Sequence, residues 1–173
     1  MGIYVQVQTI ESNSLLLRSP EAKDLDNFVL LATHPSFNKF NILGPMSKEA
    51  AEGAFKFLIA PENQRYKAWM VFLKPQNVFI GFVGYYTISF EKQPIEEVLL
   101  EFLDKYWETE FPTEALKLAS EYAFSHNVPK LTAFVNPINI NTILCYDKLG
   151  CKLEKKVDSI LGVPSLVLSL EKH

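Results

Sequence analysis

The sequence predicts an α/β (α+β) protein in which helices cover both faces of a mixed sheet. Three observations support this class: short apolar runs typical of strands, longer segments with apolar residues at helical spacing, and turn residues between them. The predicted order of elements is β-β-α-α-β-β-β-α-β-α-β-β. A length of 173 residues suits a single domain over 1–173, and 48% hydrophobic residues suffice for a sizeable core.

The first part of the chain is predicted to form two strands and two helices. The strands are "VQVQTI" and "SLLLRS". In "SPEAKDLDNFVLLATH" we expect a helix with Ser19 as its cap and Pro20 at its first position. Ser47 is predicted to cap the second helix, in "MSKEAAEGAFKFLIA". The residues expected on its apolar side are Ala50, Ala54, Phe57 and Leu58.

Three strands are predicted next, and then strands and helices alternate. The strands are "YKAWMVFL", "VFIGFVGYYTISF" and "EEVLLEFL". Within the second, Gly81 and Gly84 indicate a bulge or a close backbone approach. A helix from Pro112 to His126, the strand "KLTAFVN" and the helix "NINTILCYDKLG" follow, with Gly150 as a left-handed cap. The strands "CKLEKKV" and "SLVLSLE" complete the order.

The strand before Tyr106, the helix after it and the next strand form a β-α-β unit. Its two strands are therefore predicted to be parallel, with a right-handed crossover. Ligands of such sheets bind at the carboxyl ends of the strands, beside the helix N-termini. The sequence therefore predicts a site formed by residues 104–113 and 136–142.

Composition excludes several classes of partner. The net charge is −3 and no basic run occurs, which argues against a nucleic-acid partner. No stretch approaches the roughly 20 apolar residues of a membrane span, and the N-terminus lacks the pattern of a signal peptide, so we expect a cytoplasmic protein. Cys145 and Cys151 lack metal-ligand spacing and are expected to be reduced packing residues, so no metal site is predicted.

The segment from Leu103 to Lys156 holds several short motifs. "YWETEFPTEA" precedes the helix that begins near Pro112, "VNPIN" follows the next strand, and "NTILCYDKLG" covers the last helix. Together they resemble the donor-binding half of the GNAT superfamily of N-acetyltransferases, and most closely its branch of ribosomal-protein N-acetyltransferases. The positions that match are Tyr106, Trp107, Thr113, Glu114, Ala115, Val135, Pro137, Asn139, Thr142, Tyr146, Lys148, Leu149 and Gly150.

This resemblance implies a GNAT fold, with a mostly antiparallel mixed sheet flanked by about four helices, and acetyl-CoA as co-substrate. It implies Tyr146 as the acid that protonates the leaving thiolate, assisted by the hydroxyl of Thr142. Alternatively Tyr146 is a core aromatic of its helix. The residues implied to contact the coenzyme are Phe102, Leu103, Glu108, Thr109, Glu110, Phe111, Thr113, Asn139 and Thr142. For Asn139 a helix cap is the competing interpretation.

Glu101 is the predicted general base. Strand alternation places Leu99, Glu101 and Leu103 on one face, and apolar neighbours favour a raised carboxyl pKa. Relatives in the family commonly place a carboxylate along this strand. The alternative is a solvated carboxylate with no role.

The phosphate-binding end departs from the family pattern. Where relatives have two glycines, this chain has Glu108 and Glu110, and Pro112 removes one backbone N–H. Carboxylates repel a pyrophosphate, so the sequence leaves two hypotheses. One is an N-acyltransferase that acetylates a primary amine, as a monomer or homodimer. The other is a GNAT-fold binding or regulatory module, whose cleft is lined by Tyr85, Tyr86, Trp107 and Tyr146.

Overall fold

The described residues of this computed structural model, 7–40, 43–160 and 163–172, contain one sheet of eight strands in the order β1-β2-β3-β4-β5-β6-β8-β7. The strands are β1 (Ile10–Glu11), β2 (Leu15–Arg18), β3 (Tyr66–Leu73), β4 (Val78–Phe90), β5 (Gln93–Phe102), β6 (Lys130–Val135), β7 (Lys152–Ile160) and β8 (Val163–Glu171). The helices are α1 (Leu25–Ala32), α2 (Lys48–Leu58), α3 (Phe111–Ser125) and α4 (Ile140–Lys148), with 3₁₀ turns at Ala22–Asp24 and Asp104–Tyr106.

Strand pairing confirms the predicted mixed and mostly antiparallel sheet. All neighbouring strands pair antiparallel except β5 and β6, which are parallel and connected through α3. The parallel pairing of the β-α-β unit is therefore as the sequence predicts.

Helices pack on both faces of the sheet, each over its own apolar cluster. Helices α1 and α2 cover a cluster that includes Phe28, Leu31, Phe55, Met70 and Phe82. On the other face, α3 and α4 cover a larger cluster that includes Trp69, Phe102, Leu116, Ala119 and Tyr146. Residues of β5 alternate between the two, because successive strand residues point to opposite faces.

The glycines of β4 stand where backbones approach closely, as the sequence predicts. A Cβ on Gly81 would lie 2.6 Å from the carbonyl oxygen of Glu101, and one on Gly84 would lie 2.4 Å from that of Lys67. The register between β3 and β4 also shifts between Val71 and Phe72. These glycines therefore fix how tightly β4 packs on its neighbours.

The first helix begins later than the sequence predicts. Ser19 does not cap it, because its Oγ donates to the carbonyl of Val7 at 3.1 Å. Instead the buried carboxylate of Asp24 accepts the Glu21 N–H at 2.8 Å and both guanidinium N–H groups of Arg18 at 2.7 and 2.8 Å. These bonds hold Ala22–Asp24 in a 3₁₀ turn, and α1 starts at Leu25.

The second helix has the predicted cap but a different buried side. Ser47 Oγ accepts the N–H of Ala50 at 3.1 Å. The predicted apolar side is right for Ala54 and Leu58, which pack against the core cluster, and wrong for Ala50, which is exposed, and Phe57, which is 56% exposed. The buried residues of the helix are Ala51 and Phe55. Phe57 instead packs edge-on against Tyr66, with ring centroids 6.1 Å apart.

The remaining predicted elements agree closely with the observed ones. Strands β3 and β4 have the predicted bounds, α3 begins and ends one residue earlier than predicted, and Gly150 has a φ of 74° in the left-handed region after α4. The predicted first strand pairs only at Ile10–Glu11, and its residues 5 and 6 lie outside the described residues. Of the helices described, none combines the length and hydropathy needed to cross a membrane.

Candidate functional site

The parallel strands β5 and β6 separate soon after they meet. They pair at Glu96 with Leu131 and at Glu97 with Thr132, and no later pair joins them, although β5 continues to Phe102 and β6 to Val135. The carboxyl halves of the two strands therefore leave a gap in the described sheet. This gap lies at the edge where strand-end ligands bind in such sheets.

A cavity of about 240 Å³ occupies this gap. Its walls come from β5 (Glu97 to Glu101), from the end of β6 and the following turn (Ala133 to Asn136), from α4 and its cap, and from the segment after α1. Leu99 and Leu100 belong to opposite faces of the sheet, and both line it. The cavity therefore extends through the sheet between the separated strands.

Glu101 lines the cavity without a partner. Among the described residues no hydrogen bond or ion pair to its carboxylate occurs, and its face of β5 also presents Leu99 and Leu103. Burial raises the pKa of Glu101 to about 8, in the direction that its apolar neighbours predict. A carboxyl group with that pKa is suited to accept a proton near neutral pH. Its role as base stays a prediction.

Tyr146 and Thr142 reach the same cavity from α4. Tyr146 is only 1% exposed and belongs to the core cluster, but it also lines the cavity. Its hydroxyl forms no hydrogen bond with the described part of the chain, and burial raises its pKa well above the usual value, which keeps the phenol protonated. Thr142 is buried beside it and lines the cavity too. Tyr146 is thus both a core aromatic and a cavity-facing phenol.

Two asparagines shape the cavity wall after β6. Asn139 caps α4, since its Oδ1 accepts the N–H of Thr142 at 3.3 Å, so the capping alternative is what the structure shows. Its side chain still lines the cavity. Asn136 Nδ2 donates to the carbonyl of Phe40 at 2.8 Å, and its Oδ1 accepts the N–H of Ile138 at 3.0 Å. Asn136 therefore ties the end of β6 to the segment after α1.

Side chains of the protein itself make the polar contacts at the N-terminus of α3. Thr109 Oγ1 accepts the N–H of Phe111 at 3.3 Å, Pro112 has no N–H, and Glu110 pairs with Lys148 Nζ at 3.1 Å across to α4. Glu108 and Glu110 are exposed. The resemblance implies a pyrophosphate at this turn, and the carboxylates of Glu108 and Glu110 there would repel it.

The structure brings together only some of the predicted site residues. Glu101, Asn139, Thr142 and Tyr146 line one cavity. The others lie outside its lining, in β5 or near the start of α3: Phe102, Leu103, Glu108, Thr109, Glu110, Phe111 and Thr113. Their predicted contacts with a coenzyme remain predictions.

Two residues expected in the cleft lie elsewhere, and others were missed. Tyr85 packs in the core against Trp69, with ring centroids 6.4 Å apart, and Tyr86 stacks on Tyr66 at 4.7 Å, so neither lines the cavity. Asn136, which does line it, lies within the predicted range 136–142 but was not named as a site residue, and Phe40, which also lines it, belongs to no motif. "VNPIN" was the available signal for Asn136, because it follows β6 directly.

Metal-ligating residues do not cluster in this structure. Across residues 7–40, 43–160 and 163–172, no group of three or more His, Cys, Asp or Glu side chains could hold a metal ion.

Comparison with known families gives one match, over most of the chain. Residues 14–152 match the family described as the acetyltransferase (GNAT) domain. A comparison with curated proteins gives no match.

Comparison with solved structures gives many similar folds. An acetyltransferase of the GNAT family from Bacillus anthracis is 19% identical, covers 95% of this chain and 98% of its own, and has a TM-score of 0.79. A candidate ribosomal-protein-serine acetyltransferase from Vibrio cholerae is 16% identical, covers 95% and 98%, and has a TM-score of 0.74. An aminoglycoside acetyltransferase in complex with coenzyme A is 15% identical, covers 92% and 95%, and has a TM-score of 0.76. At these identities the likeness is one of fold.

Proposed function

The chain belongs to the GNAT acetyltransferase family, and from that premise we propose that it transfers an acetyl group from acetyl-CoA to a primary amine. The observation that carries this proposal is the cavity between the separated strands β5 and β6. It is lined by a carboxylate, Glu101, and a phenol, Tyr146, neither of which has a hydrogen-bond partner among the residues that the structure describes. Acyl transfer from a thioester to an amine needs one group to accept a proton and another to donate one.

Glu101 and Tyr146 have complementary protonation states for this reaction. Glu101 takes a proton from the acceptor ammonium, because its pKa of about 8 allows it to be ionised in weakly alkaline solution. The freed nitrogen attacks the thioester carbonyl, a C–N bond forms, and the C–S bond breaks. Tyr146 gives its proton to the departing thiolate. The proton lost by nitrogen as the amide forms returns to Tyr146 through solvent, and Glu101 releases its proton to solvent.

Other residues of the cavity hold the reacting groups in place. Thr142 lies one helical turn before Tyr146 on α4, so its hydroxyl faces the same space and can bind the thioester oxygen or the sulfur. Asn139, through its cap of α4, fixes the start of the helix that presents both. These positions support a retained thioester site.

The start of α3 implies weak donor binding. Two carboxylates near a pyrophosphate each repel it by about 1 kcal/mol in water and about 4 kcal/mol near a protein surface at about 4 Å. The pairing of Glu110 with Lys148 lowers this repulsion but also removes a cation from the phosphates. The proposed enzyme therefore binds acetyl-CoA more weakly than a protein with a glycine-rich turn.

A thermal-shift titration with acetyl-CoA, followed by an assay for released thiol, tests the proposal. A ligand at 100 times its Kd stabilises a protein by about 2.7 kcal/mol, so saturating donor raises the Tm by a readily measured amount. We expect a saturable rise at millimolar acetyl-CoA and thiol release when a primary amine is added. An unchanged Tm at millimolar acetyl-CoA contradicts the enzyme proposal and favours a binding module without coenzyme. In such a module the start of α3 can be occupied by the protein's own side chains.

A further inference from the structure

Carboxylates dominate the charged residues of the cavity. Glu97, Glu101 and Asp104 line it, whereas Lys39 is the one basic residue among its described lining residues. Lys39 is exposed and its Nζ lies 4.9 Å from the centroid of the Phe40 ring, so it stands at the rim on the side of α1. The inner wall along β5 is therefore acidic.

Glu97 is held in one orientation by a tyrosine outside the cavity. Tyr86 Oη donates to Glu97 Oε2 at 2.7 Å, and the Tyr86 ring stacks on Tyr66 with an interplanar angle of 4°. The hydrogen bond favours the ionised carboxylate, although burial raises the pKa of Glu97 overall. A carboxylate can accept about four hydrogen bonds, so Glu97, which lines the cavity, has acceptor positions left for a ligand.

Two further polar groups line the cavity and have no hydrogen-bond partner among the described residues. Tyr146 is 1% exposed and its hydroxyl has no hydrogen-bond partner within the described residues. The Glu101 carboxylate likewise has none there, and its pKa is raised by burial alone. Buried polar groups in native proteins are normally hydrogen-bonded, to protein or to water. The polar atoms of Glu101 and Tyr146 reach the cavity that Glu97 also lines, where a polar ligand can serve as their partner.

We propose that the acceptor carries two positive charges: Glu101 receives the ammonium that reacts, and Glu97 binds a second ammonium of the same molecule. The inference rests on the proposed function and specifies its substrate class, a diamine or polyamine. Both carboxylates lie on one face of β5, four residues apart, which corresponds to about 13 Å between their Cα atoms. That spacing sets the approximate scale for the separation of the two ammonium groups.

Tyr86 acts as a positioning residue in this arrangement. It does not line the cavity and touches no substrate, but it orients the carboxylate that binds the distal charge. Loss of the Tyr86 hydroxyl leaves Glu97 in place and frees the Glu97 side chain to rotate. Tyr86→Phe is therefore expected to weaken selectivity for a diamine less than Glu97→Gln does.

A matched pair of amines tests the inference. We would measure kcat/KM with acetyl-CoA for 1,4-diaminobutane and longer α,ω-diamines against butylamine. The wild-type protein should prefer the best diamine at least tenfold, with the difference mainly in KM. In Glu97→Gln the diamine-to-butylamine ratio should fall close to one, and in Tyr86→Phe it should lie between. Equal use of both amines by the wild type, or an unchanged ratio in Glu97→Gln, overturns the inference.

The neighbouring Glu96 provides the control. It lies on β5 beside Glu97 but outside the cavity lining, where it accepts a hydrogen bond from Thr87 Oγ1 at 2.9 Å. Glu96→Gln should keep the wild-type ratio. A fall in that variant equal to the fall in Glu97→Gln would mean that the effect is one of general surface charge, and this also overturns the inference.

Direct binding separates this inference from the proposed function. Calorimetry with the amines alone needs no donor, so it gives a result even if no thiol is released. Tighter binding of the diamine than of butylamine, reduced at least fivefold in Glu97→Gln and weakened by added salt, supports the two-charge site although the enzyme proposal has failed. Absence of diamine binding together with absence of turnover rejects both, whereas turnover of monoamines without diamine preference rejects this inference alone.

Discussion

Glu101 shows how much a single residue reveals in the sequence. Its position between Leu99 and Leu103 on one strand face predicts an apolar environment, and the structure gives it a pKa of about 8 through burial. The sequence does not show that Glu97 and Tyr146 line the same cavity, because that depends on where β5 and β6 separate. Residue chemistry was predictable here, and the arrangement of the residues was not.

Replacing Glu101 by Gln should abolish the alkaline rise of activity. In the wild type we expect kcat/KM to increase as pH rises and to level off above an apparent pKa of about 8, since only the ionised carboxylate accepts a proton. Glu101→Gln should lower kcat/KM by 10²- to 10⁴-fold and remove that inflection. A pH–rate profile of both proteins decides this, and a variant that keeps the inflection near pH 8 contradicts the assignment of the base.

The same pKa predicts a dependence of stability on pH. The folded-state pKa of Glu101 is raised from 4.5 to about 8, so the folded protein binds this proton more tightly than the unfolded chain does. The free energy of unfolding should therefore fall as pH rises from about 4.5 to about 8, by on the order of a few kcal/mol. Urea denaturation at pH 5 and pH 8.5 measures this change in the free energy of unfolding. Glu101→Gln should lose much less stability over that interval, and equal losses would contradict the raised pKa.

Tyr146→Phe should separate catalysis from stability. The substitution removes a hydroxyl that has no partner within the described residues and keeps the buried ring. We expect kcat to fall about 100-fold with little change in KM, as for loss of a general acid, and the free energy of unfolding to change by less than about 1 kcal/mol. Tyr85→Phe, in the core and outside the cavity lining, is the matched control and should keep kcat. A kcat within twofold of wild type for Tyr146→Phe would mean that the tyrosine only packs.

Among the elements, those with continuous apolar runs were the most predictable. Strands β3 and β4 match their predicted bounds because each contains a continuous run of buried residues, Ala68 to Phe72 and Phe79 to Tyr85, and turn residues separate the two strands. Helix α1 was harder, since Ser19 and Pro20 resemble a helix start while a buried pair, Arg18 and Asp24, fixes the true one. A side-chain contact between residues six positions apart thus outweighed the capping signal of Ser19.

Gly81→Ala should destabilise the protein, because β4 and β5 approach closely at this position. The new Cβ would lie 2.6 Å from the carbonyl oxygen of Glu101 and 2.6 Å from the Phe102 ring, so β5 must move. We expect a loss of at least 1–3 kcal/mol in chemical denaturation. Gly53→Ala is the control: it lies in α2 with nothing within 4 Å, and should stabilise by about 0.5–1 kcal/mol. A neutral Gly81→Ala would mean that the strands have room to separate.

Removing the two glutamates at the start of α3 should increase the affinity for acetyl-CoA. Replacing Glu108 and Glu110 together by Gly removes two carboxylates from the phosphate end and frees Lys148 from its ion pair. The Kd for acetyl-CoA should therefore fall at least tenfold. Lys117 and Glu121, which form an exposed pair farther along α3, provide the control: their replacement should leave the Kd unchanged. Titration calorimetry measures both, and an unchanged Kd in the double variant would show that the coenzyme, if bound, does not reach this turn.

At the scale of the whole molecule, the sequence predicted the fold class but not the gap at its centre. The order of strands and helices and the motifs around Trp107, Asn139 and Tyr146 sufficed for the family and for helices on both faces. Nothing in the amino-acid sequences of β5 and β6 indicates that Glu97 and Thr132 are their last paired residues. The shape of the cavity follows from that divergence, so it had to be observed.

The short ladder between β5 and β6 also has a mechanical consequence. Strands β1 to β5 form one run of neighbouring antiparallel pairs, and β6, β8 and β7 form another. Only two residue pairs join the two runs within the described sheet, and side-chain contacts such as the Lys155–Glu91 ion pair add to them. Under a pulling force applied across the sheet, we expect the molecule to part first along this seam. The amides of β5 beyond Glu97 should likewise exchange with deuterium faster than those of β4, and a ligand that bridges the two walls should slow that exchange.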